Sequence, residues 1–392
     1  MNKVRFGVIG ADLSLRASMV YENYPAEQGE LVAVCDRNPD MLKAFGEKYP
    51  HLTPRLYGDY RDLLADSAVE AVFIMVRDQY HEEMAVNALK AGKAVFLEKP
   101  MSITIEGCDH ILRTAFETGC KLFVGHNMRY VPSVLKMKEI IDSGAIGQIQ
   151  AVWCRHFVNY GSCYFRHWCA EQETCTGLLL QKGCHDIDVI HWLTGGYATR
   201  VTAMGRLSVY NRTTDRLKPG EKPDRKVSFT DGCWPPLELK GLASHIDVED
   251  HSMLLMALDN GVQASYEQCM YAPDACRNYT FIGDKGRLEN VGDFGKCEIH
   301  VWTTRGAYTE PDVVYRLRDT VGSHGGADVP LLKAFFDFVQ LGKKPNVSPV
   351  AARNAVAAGV MGHVSMRNGS FPQDVPPLDD NLVRYFENGQ TR

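Results

Sequence analysis

The stretch VRFGVIG at residues 4–10 is an apolar run closed by a glycine, and LVAVCD (31–36), AVFIMV (71–76), AVFLEK (94–99) and KLFVGH (121–126) repeat its character. A strand with water on one face alternates polar and apolar residues. A strand covered on both faces does not, so unbroken runs of this length read as parallel strands between two helical layers. Between the runs lie HEEMAVNALKAG (81–92) and IEGCDHILRTAFETG (105–119), with apolar residues at three- and four-residue spacing and a glycine at the close. That spacing marks one face of a helix, and glycine supplies the left-handed turn that ends it. Strand and helix alternating in this way predict a doubly wound parallel sheet over residues 1–125.

Past residue 125 the pattern changes. PSVLKMKEIIDSG (132–144) reads as a helix leading into the strand-like IQAVWCRHFV (149–158), and HDIDVIHWLTG (185–195) reads as a second helix. From about 197 to 315 the chain is mostly strand-like, with DNG (259–261) and GDKG (283–286) at hairpin turns. Residues 126–392 are therefore expected to form an α+β domain with a large, mostly antiparallel open sheet. LLKAFFDFVQLG (331–342) and AARNAVAAGVMGHVSMRNG (351–369) return to helix and can pack back on the first domain. The polar, proline-bearing segment 213–236 reads as a long surface excursion or lid.

Composition narrows the function. The 392 residues, 45% hydrophobic and 23% charged, suit two globular domains. A formal net charge of −5 lacks the basic footprint that nucleic acid or an anionic membrane requires. No apolar run approaches the roughly 20 residues of a membrane span. MNKVRFGVIG runs straight into a strand without a signal-peptide core, so a cytoplasmic location and reduced cysteines are expected. Cys163, Cys169, Cys175 and Cys184 lie near His167 and His185, but without the short C-x2-C knuckle of structural zinc, so no metal is expected.

The turn after the first strand is where this kind of sheet, the Rossmann domain, approaches a pyrophosphate. Here it reads G-A-D-L-S-L from Gly10, so one glycine of G-x-G-x-x-G remains, with Asp12 and Leu13 beside it. Asp36 ends the second strand, where an acidic side chain can bind both ribose hydroxyls. Its carboxylate repels a 2′-phosphate and favours NAD over NADP; Arg37 beside it leaves NADP open. At the carboxyl edge of the sheet, where ligands sit, Glu98-Lys99-Pro100 follows the fifth strand and aims Lys99 at substrate. The Lys-Pro bond is a candidate for the cis form.

E-K-P, then G-H-N-M-R-Y (125–130), then G-L-L-L-Q-K-G-C-H-D-I-D (177–188), with HGGAD at 324–328, resembles the glucose–fructose oxidoreductase/inositol 2-dehydrogenase (Gfo/Idh/MocA) family across almost the whole chain. The resemblance implies a two-domain NAD(P)-dependent enzyme that oxidises a sugar or cyclitol hydroxyl or reduces the ketone. It implies Lys99 as catalytic lysine, His185 as catalytic histidine, cofactor contacts that include His81 and Glu98, and a homodimer or homotetramer built on the second-domain sheet. The chemistry agrees: hydride leaves a carbinol only if the hydroxyl proton also leaves, His185 titrates in the useful range, and Lys99 can stabilise developing alkoxide. Asp188 can orient His185 from the next turn, or Asp186 or Asp188 can cap the helix.

One departure matters. Many members carry a carboxylate four residues before the histidine; here Gln181 stands there, with Lys182 beside it. If the run is extended, one of the two faces the pocket. Lys182 in the pocket would favour a lysine base and an anionic substrate. Arg129, Tyr130, Arg155, His156, Arg166 and His167 are further candidates for a polar substrate lining. Three functions remain: a sugar, sugar-acid or cyclitol dehydrogenase; an NAD-dependent glycoside hydrolase that oxidises C3 transiently, with Tyr130 or His185 as the C2 base; and a non-catalytic NAD-binding regulator.

Overall fold

The computed structural model describes residues 2–13, 16–221, 234–294, 296–306, 310–318 and 323–391. They form two compact units: residues 1–130 with 326–353 and 378–392, and residues 131–325 with 354–377.

The first unit holds β1 (Val4–Ile9), β2 (Gly29–Cys35), β3 (Arg55–Tyr57), β4 (Ala71–Ile74), β5 (Ala94–Leu97) and β6 (Leu122–Val124). All pairings are parallel, in the order β3-β2-β1-β4-β5-β6. The chain winds outward from β1 to β3, returns to β4 beside β1 and winds outward again, so the β1/β4 junction is the switch point where such sheets open a ligand crevice. The apolar runs are buried as their composition requires; Phe6, Val8, Phe73 and Phe96 have no exposed surface. Phe73, Phe96 and Phe123 stand in register on adjacent strands and stack at 4.9 and 5.3 Å. Phe335, from the helix Asp328–Leu341, meets all three edge-on at 4.9–5.8 Å. Each buried phenylalanine contributes roughly 1.5–3 kcal/mol, which accounts for a late helix sealing an early sheet.

The second unit holds β7 (Ile149–Phe157), β8 (Ala198–Arg206), β9 (His251–Leu258), β10 (Gln263–Cys269), β11 (Cys276–Gly283), β12 (Arg287–Val291), β13 (Glu298–Trp302), β14 (Val313–Arg316) and β15 (Gln373–Asp374). Their order is β14-β13-β12-β11-β7-β10-β9-β8-β15, antiparallel except where β10 runs parallel to β7. DNG and GDKG form the β9–β10 and β11–β12 hairpin turns. Strands alternate inward and outward: Val152, Cys154 and His156 are buried, whereas Trp153, Arg155 and Phe157 point out. The inner face packs on the helix Gly183–Thr194.

Two expectations need correction. The run through Gln181 and Lys182 is not extended: Leu178–Gln181 is a helical turn and Lys182 precedes the next helix in a helical conformation. Both side chains are buried, so alternation across a strand does not sort them. Of the expected excursion at 213–236, residues 222–233 lie outside the described residues. Its near flank is tied down, with Leu217 N–H donating to the Leu242 carbonyl at 2.8 Å and Arg216 to the Tyr210 and Ala243 carbonyls.

Candidate functional site

In the first unit, the residues expected around a dinucleotide gather at the carboxyl ends of β1, β2 and β5. Gly10 has φ +97°, and a Cβ there would lie 2.3 Å from the Met75 carbonyl oxygen, so no other residue fits this turn. The Asp36 carboxylate accepts Ala11 N–H on one oxygen at 2.9 Å and Asn38 N–H on the other at 2.8 Å. Each oxygen keeps a lone pair for a hydroxyl. This clamp ties the end of β2 to the turn after β1 and leaves acceptor lone pairs of the kind that ribose hydroxyls donate to. Asp12 and Leu13 are half-buried in that turn; Ser14 and Leu15 lie outside the described residues. Exposed Arg37 stacks on Tyr80 with its guanidinium 5.4 Å from the ring centre.

Two expected cofactor contacts are engaged elsewhere. His81 is fully buried, with Nδ1 2.7 Å from the Pro100 carbonyl and Nε2 3.2 Å from that of Val76. Burial lowers its pKa, so it is a neutral clasp under the 98–100 segment. Glu98 accepts Arg16 Nε at 2.7 Å and the Lys99 N–H at 3.0 Å, and Arg16 Nη2 reaches Asp328 at 2.7 Å. Burial works against the Arg16 charge, but the two carboxylates outweigh it and raise its pKa. This carboxylate–arginine–carboxylate chain joins positions 16, 98 and 328, which no sequence spacing relates. Lys99 is half-buried and its bond to Pro100 is cis, as the sequence suggested. Arg129 is buried and donates to the Asn346 carbonyl at 2.6 Å, so its place is structural rather than substrate-lining. Tyr130 is buried and its phenol is pushed up to about 12, which ill suits a base.

In the second unit, His185 sits in the first turn of the helix Gly183–Thr194, buried with Gln181 and Lys182. Asp186, one residue on, is no cap. It is fully buried and accepts Arg277 Nε at 2.9 Å and the Tyr279 hydroxyl, with His156 Nδ1 3.1 Å away. Burial alone would raise the Asp186 pKa, but Arg277, His156 and their hydrogen bonds hold it well below the carboxylate range. Burial and then Arg277 press His156 down to about 3, so it is neutral. Asp188 is buried as well. Arg155 faces the other side of β7, half-exposed and bonded to Asn278 Oδ1 at 2.5 Å, because strand alternation sends it opposite His156. It does not line this cluster. Arg166 is spent on the Lys240 carbonyl at 2.6 Å.

Lys182 is buried, and its ammonium lies 5.3 Å from the ring centre of Tyr160 and 5.8 Å from that of Tyr164. It is not a solvated charge. Arg16, Arg277, Tyr279, Tyr160 and Tyr164 had escaped the sequence reading. Only the last four left a trace: Arg277 and Tyr279 alternate on a strand, and the tyrosines are four residues apart in an aromatic-rich loop. Cys169 and Cys175 pack with Phe165, Leu178 and Tyr210 in an apolar cluster, and the Cys175 thiol donates to the Cys169 carbonyl. Among the described residues no group of His, Cys, Asp and Glu could hold a metal, and no helix is long and apolar enough to cross a membrane.

Comparison with known proteins identifies the family and the fold. The family model "Oxidoreductase family, NAD-binding Rossmann fold" matches residues 4–126, and the GFO/IDH/MocA C-terminal domain matches residues 134–289. YteT of Bacillus subtilis (strain 168) is 25% identical over 365 residues, 81% of this chain and 83% of that one. Inositol 2-dehydrogenase of Salmonella typhimurium is 34% identical over 191 residues, 48% of this chain and 53% of that enzyme, so the match spans about half of it. Levoglucosan dehydrogenase, solved with NADH and levoglucosan, superposes with a TM-score of 0.74 at 18% identity, covering 96% of this chain and all of that one. An oxidoreductase domain protein from Kribbella flavida gives 0.76 at 19%, covering 96% of this chain and all of that one. At those identities the likeness is one of fold. With both domains matched, the chain belongs to the GFO/IDH/MocA family of NAD-binding oxidoreductases.

Proposed function

We propose that the chain is an NAD-dependent dehydrogenase acting on a hydroxyl carbon of a sugar, sugar acid or cyclitol. The observation that carries the reading is the Asp36 carboxylate, fixed between the N–H groups of Ala11 and Asn38 beside Gly10. Gly10, Asp12, Leu13, Asp36, Arg37 and Lys99 would hold NAD, which supplies the two-electron acceptor. Lys99 would donate to the reacting oxygen and stabilise its developing charge; His185 would take the hydroxyl proton. Two relatives carry names that support the reading: one is named an inositol 2-dehydrogenase, another 1-carboxy-3-chloro-3,4-dihydroxycyclohexa-1,5-diene dehydrogenase. The glycoside-hydrolase alternative loses support at Tyr130, whose buried phenol is a poor base. A panel of neutral and anionic polyols and glycosides, followed for NADH and released aglycone together, tests the reading. NADH in step with substrate consumed is expected; aglycone release without net NADH would favour the hydrolase.

With Asp36 facing the ribose, kcat/KM is expected to favour NAD over NADP by about tenfold or more, a preference of at least ~1.4 kcal/mol. Asp36→Ala should narrow the ratio. A higher kcat/KM with NADP would remove the ribose role from Asp36.

The free thiols among the described residues suit a reducing compartment, and we place the enzyme's work in the cytoplasm. The outer face of the second-unit sheet carries Met204, Met253, Leu255, Trp153 and Phe157, 37–64% exposed. Met204 pairs with Met253 across β8 and β9, and Ser265 lies between Leu255 and Trp153. We propose that a second copy of the chain covers this face. Leu255→Glu should reduce the mass measured by light scattering; an unchanged mass would mean that the face is not the interface.

A further inference from the structure

The pair formed by buried Lys182 and half-buried Tyr160 has no part in the assignments made so far. The lysine is buried, and two phenol rings lie close to its ammonium, their centres 5.3 and 5.8 Å away. Lys182 and His185 are three residues apart at the start of one helix, hence on the same side of it. The Tyr160 ring centre lies 5.3 Å from the ammonium of Lys182, the residue that shares this side of the helix with His185. The position that could have held a second acid–base group, 181, carries an amide that cannot exchange a proton at neutral pH.

We propose that Tyr160, paired with Lys182, carries the proton that the oxidation releases, standing in for the carboxylate that position 181 lacks. The proposal rests on the dehydrogenase reading above. In the oxidative direction the substrate O–H bond breaks, its proton passes to the His185 imidazole, and from there to the Tyr160 phenolate. The histidine returns to neutral and the electron pair of the C–H bond leaves with the hydride to NAD. Reduction runs the same transfers backwards. Lys182 keeps the phenolate available by balancing its charge.

The charges around Tyr160 agree with that role. Burial by itself raises its pKa, but Lys182 and then Arg277 on β11, with the Lys182 hydrogen bond, outweigh burial and lower it, against a smaller opposing effect of Cys163. Tyr164, on the other side of Lys182, goes the opposite way: burial, then Tyr160 and Cys163, raise its pKa well above the ordinary range. Of the two rings near the ammonium, Tyr160 is shifted toward the phenolate and Tyr164 away from it.

With 17 tyrosines in the chain, the test is a difference titration of near-ultraviolet tyrosinate absorbance, wild type minus Tyr160→Phe, without substrate. Tyrosinate from Tyr160 should form below the ordinary phenol range near ~10. Lys182→Met should move it up by about one unit or more, and Lys182→Arg should keep it low. In turnover, Tyr160→Phe should lower kcat about tenfold or more with KM nearly unchanged. The limb of the pH–rate profile that follows the tyrosinate titration should vanish. Ordinary titration of Tyr160 would overturn the pairing. A low titration with a Tyr160→Phe profile that overlays the wild type's would overturn the proton-carrying role. If the wild type reduces NAD with no polyol while Tyr160 still titrates low, the dehydrogenase reading fails, and this role with it, but not the pairing.

Discussion

Replacing Lys99 by alanine is expected to lower kcat/KM for the true substrate by about 10²-fold or more. The size follows from how the fold sets this lysine. β5 is fully buried from Val95 to Leu97, so the backbone leaves the sheet at a fixed point. The next three residues are then held from both sides: the Lys99 N–H on Glu98, and the Pro100 carbonyl on His81. Glu98 is in turn locked to Arg16 and through it to Asp328. A lysine on so constrained a backbone swings its cation from a fixed origin, and that cation can stabilise charge that develops within its reach. Alanine removes the cation and leaves the scaffold, because these bonds use backbone atoms and neighbouring side chains. NADH affinity, followed by fluorescence titration, should therefore change about tenfold at most. Activity within about threefold of wild type would show that the developing charge is met elsewhere. Glu98→Gln provides the contrast, since it loosens Arg16 as well and should lower stability along with activity.

Legibility in the sequence tracked local periodicity. β1, β2, β4, β5 and β6 announced themselves because strands buried on both faces admit hardly any polar residue. β3 is three residues long on the sheet edge, with Arg55 and Leu56 exposed, and left no such run. The place of Asp36 was legible because its position at a strand end is a matter of spacing; the N–H groups of Ala11 and Asn38 that clamp it were not. The partners of Glu98 were not, because Arg16 and Asp328 are brought to it by folding alone. His81 was misread for a related reason: a histidine opening a helix after β4 looks available, yet two carbonyls enclose it. For Gln181 and Lys182 the sequence leaves an extended run open, because GLLLQKG carries no helical periodicity of its own. The helix that follows captures them, and only then does Lys182 meet the tyrosines of a loop some twenty residues earlier. Arg155 and His156 show the converse: adjacent in sequence, they are sent to opposite faces by strand alternation, and one becomes surface while the other joins the buried cluster.

That cluster yields the largest expected effect on stability. Arg277→Leu should destabilise the protein by about 3–5 kcal/mol near pH 8, because it leaves the Asp186 carboxylate buried beside Tyr279 without its cation. The loss should shrink on acidification, and the sign can be worked through. In the wild type, His156 is pressed down to about 3, against ~6.5 in the unfolded chain. Between those values the unfolded chain binds a proton that the folded one refuses, so stability falls as pH drops through the window, by up to ~1.4 kcal/mol per pH unit. His363, also near 3 through burial and Arg367, adds a like slope. Asp186 acts lower down: its depressed pKa gives stability that is full above the unfolded value of about 4 and drains away below it. Without Arg277, the second of the causes that lower His156 is gone and Asp186 still favours the imidazolium, so His156 can accept a proton inside the fold. Its share of the acid slope then flattens, and an imidazolium–carboxylate pair partly replaces the lost guanidinium. Urea unfolding at pH 8 and pH 5 should show the variant's deficit narrowing by roughly 1 kcal/mol or more at the lower pH. His156→Gln, which removes the titrating group, should flatten the wild-type slope by itself. A deficit that stays constant between the two pH values would mean that Arg277 does not govern the protonation of His156.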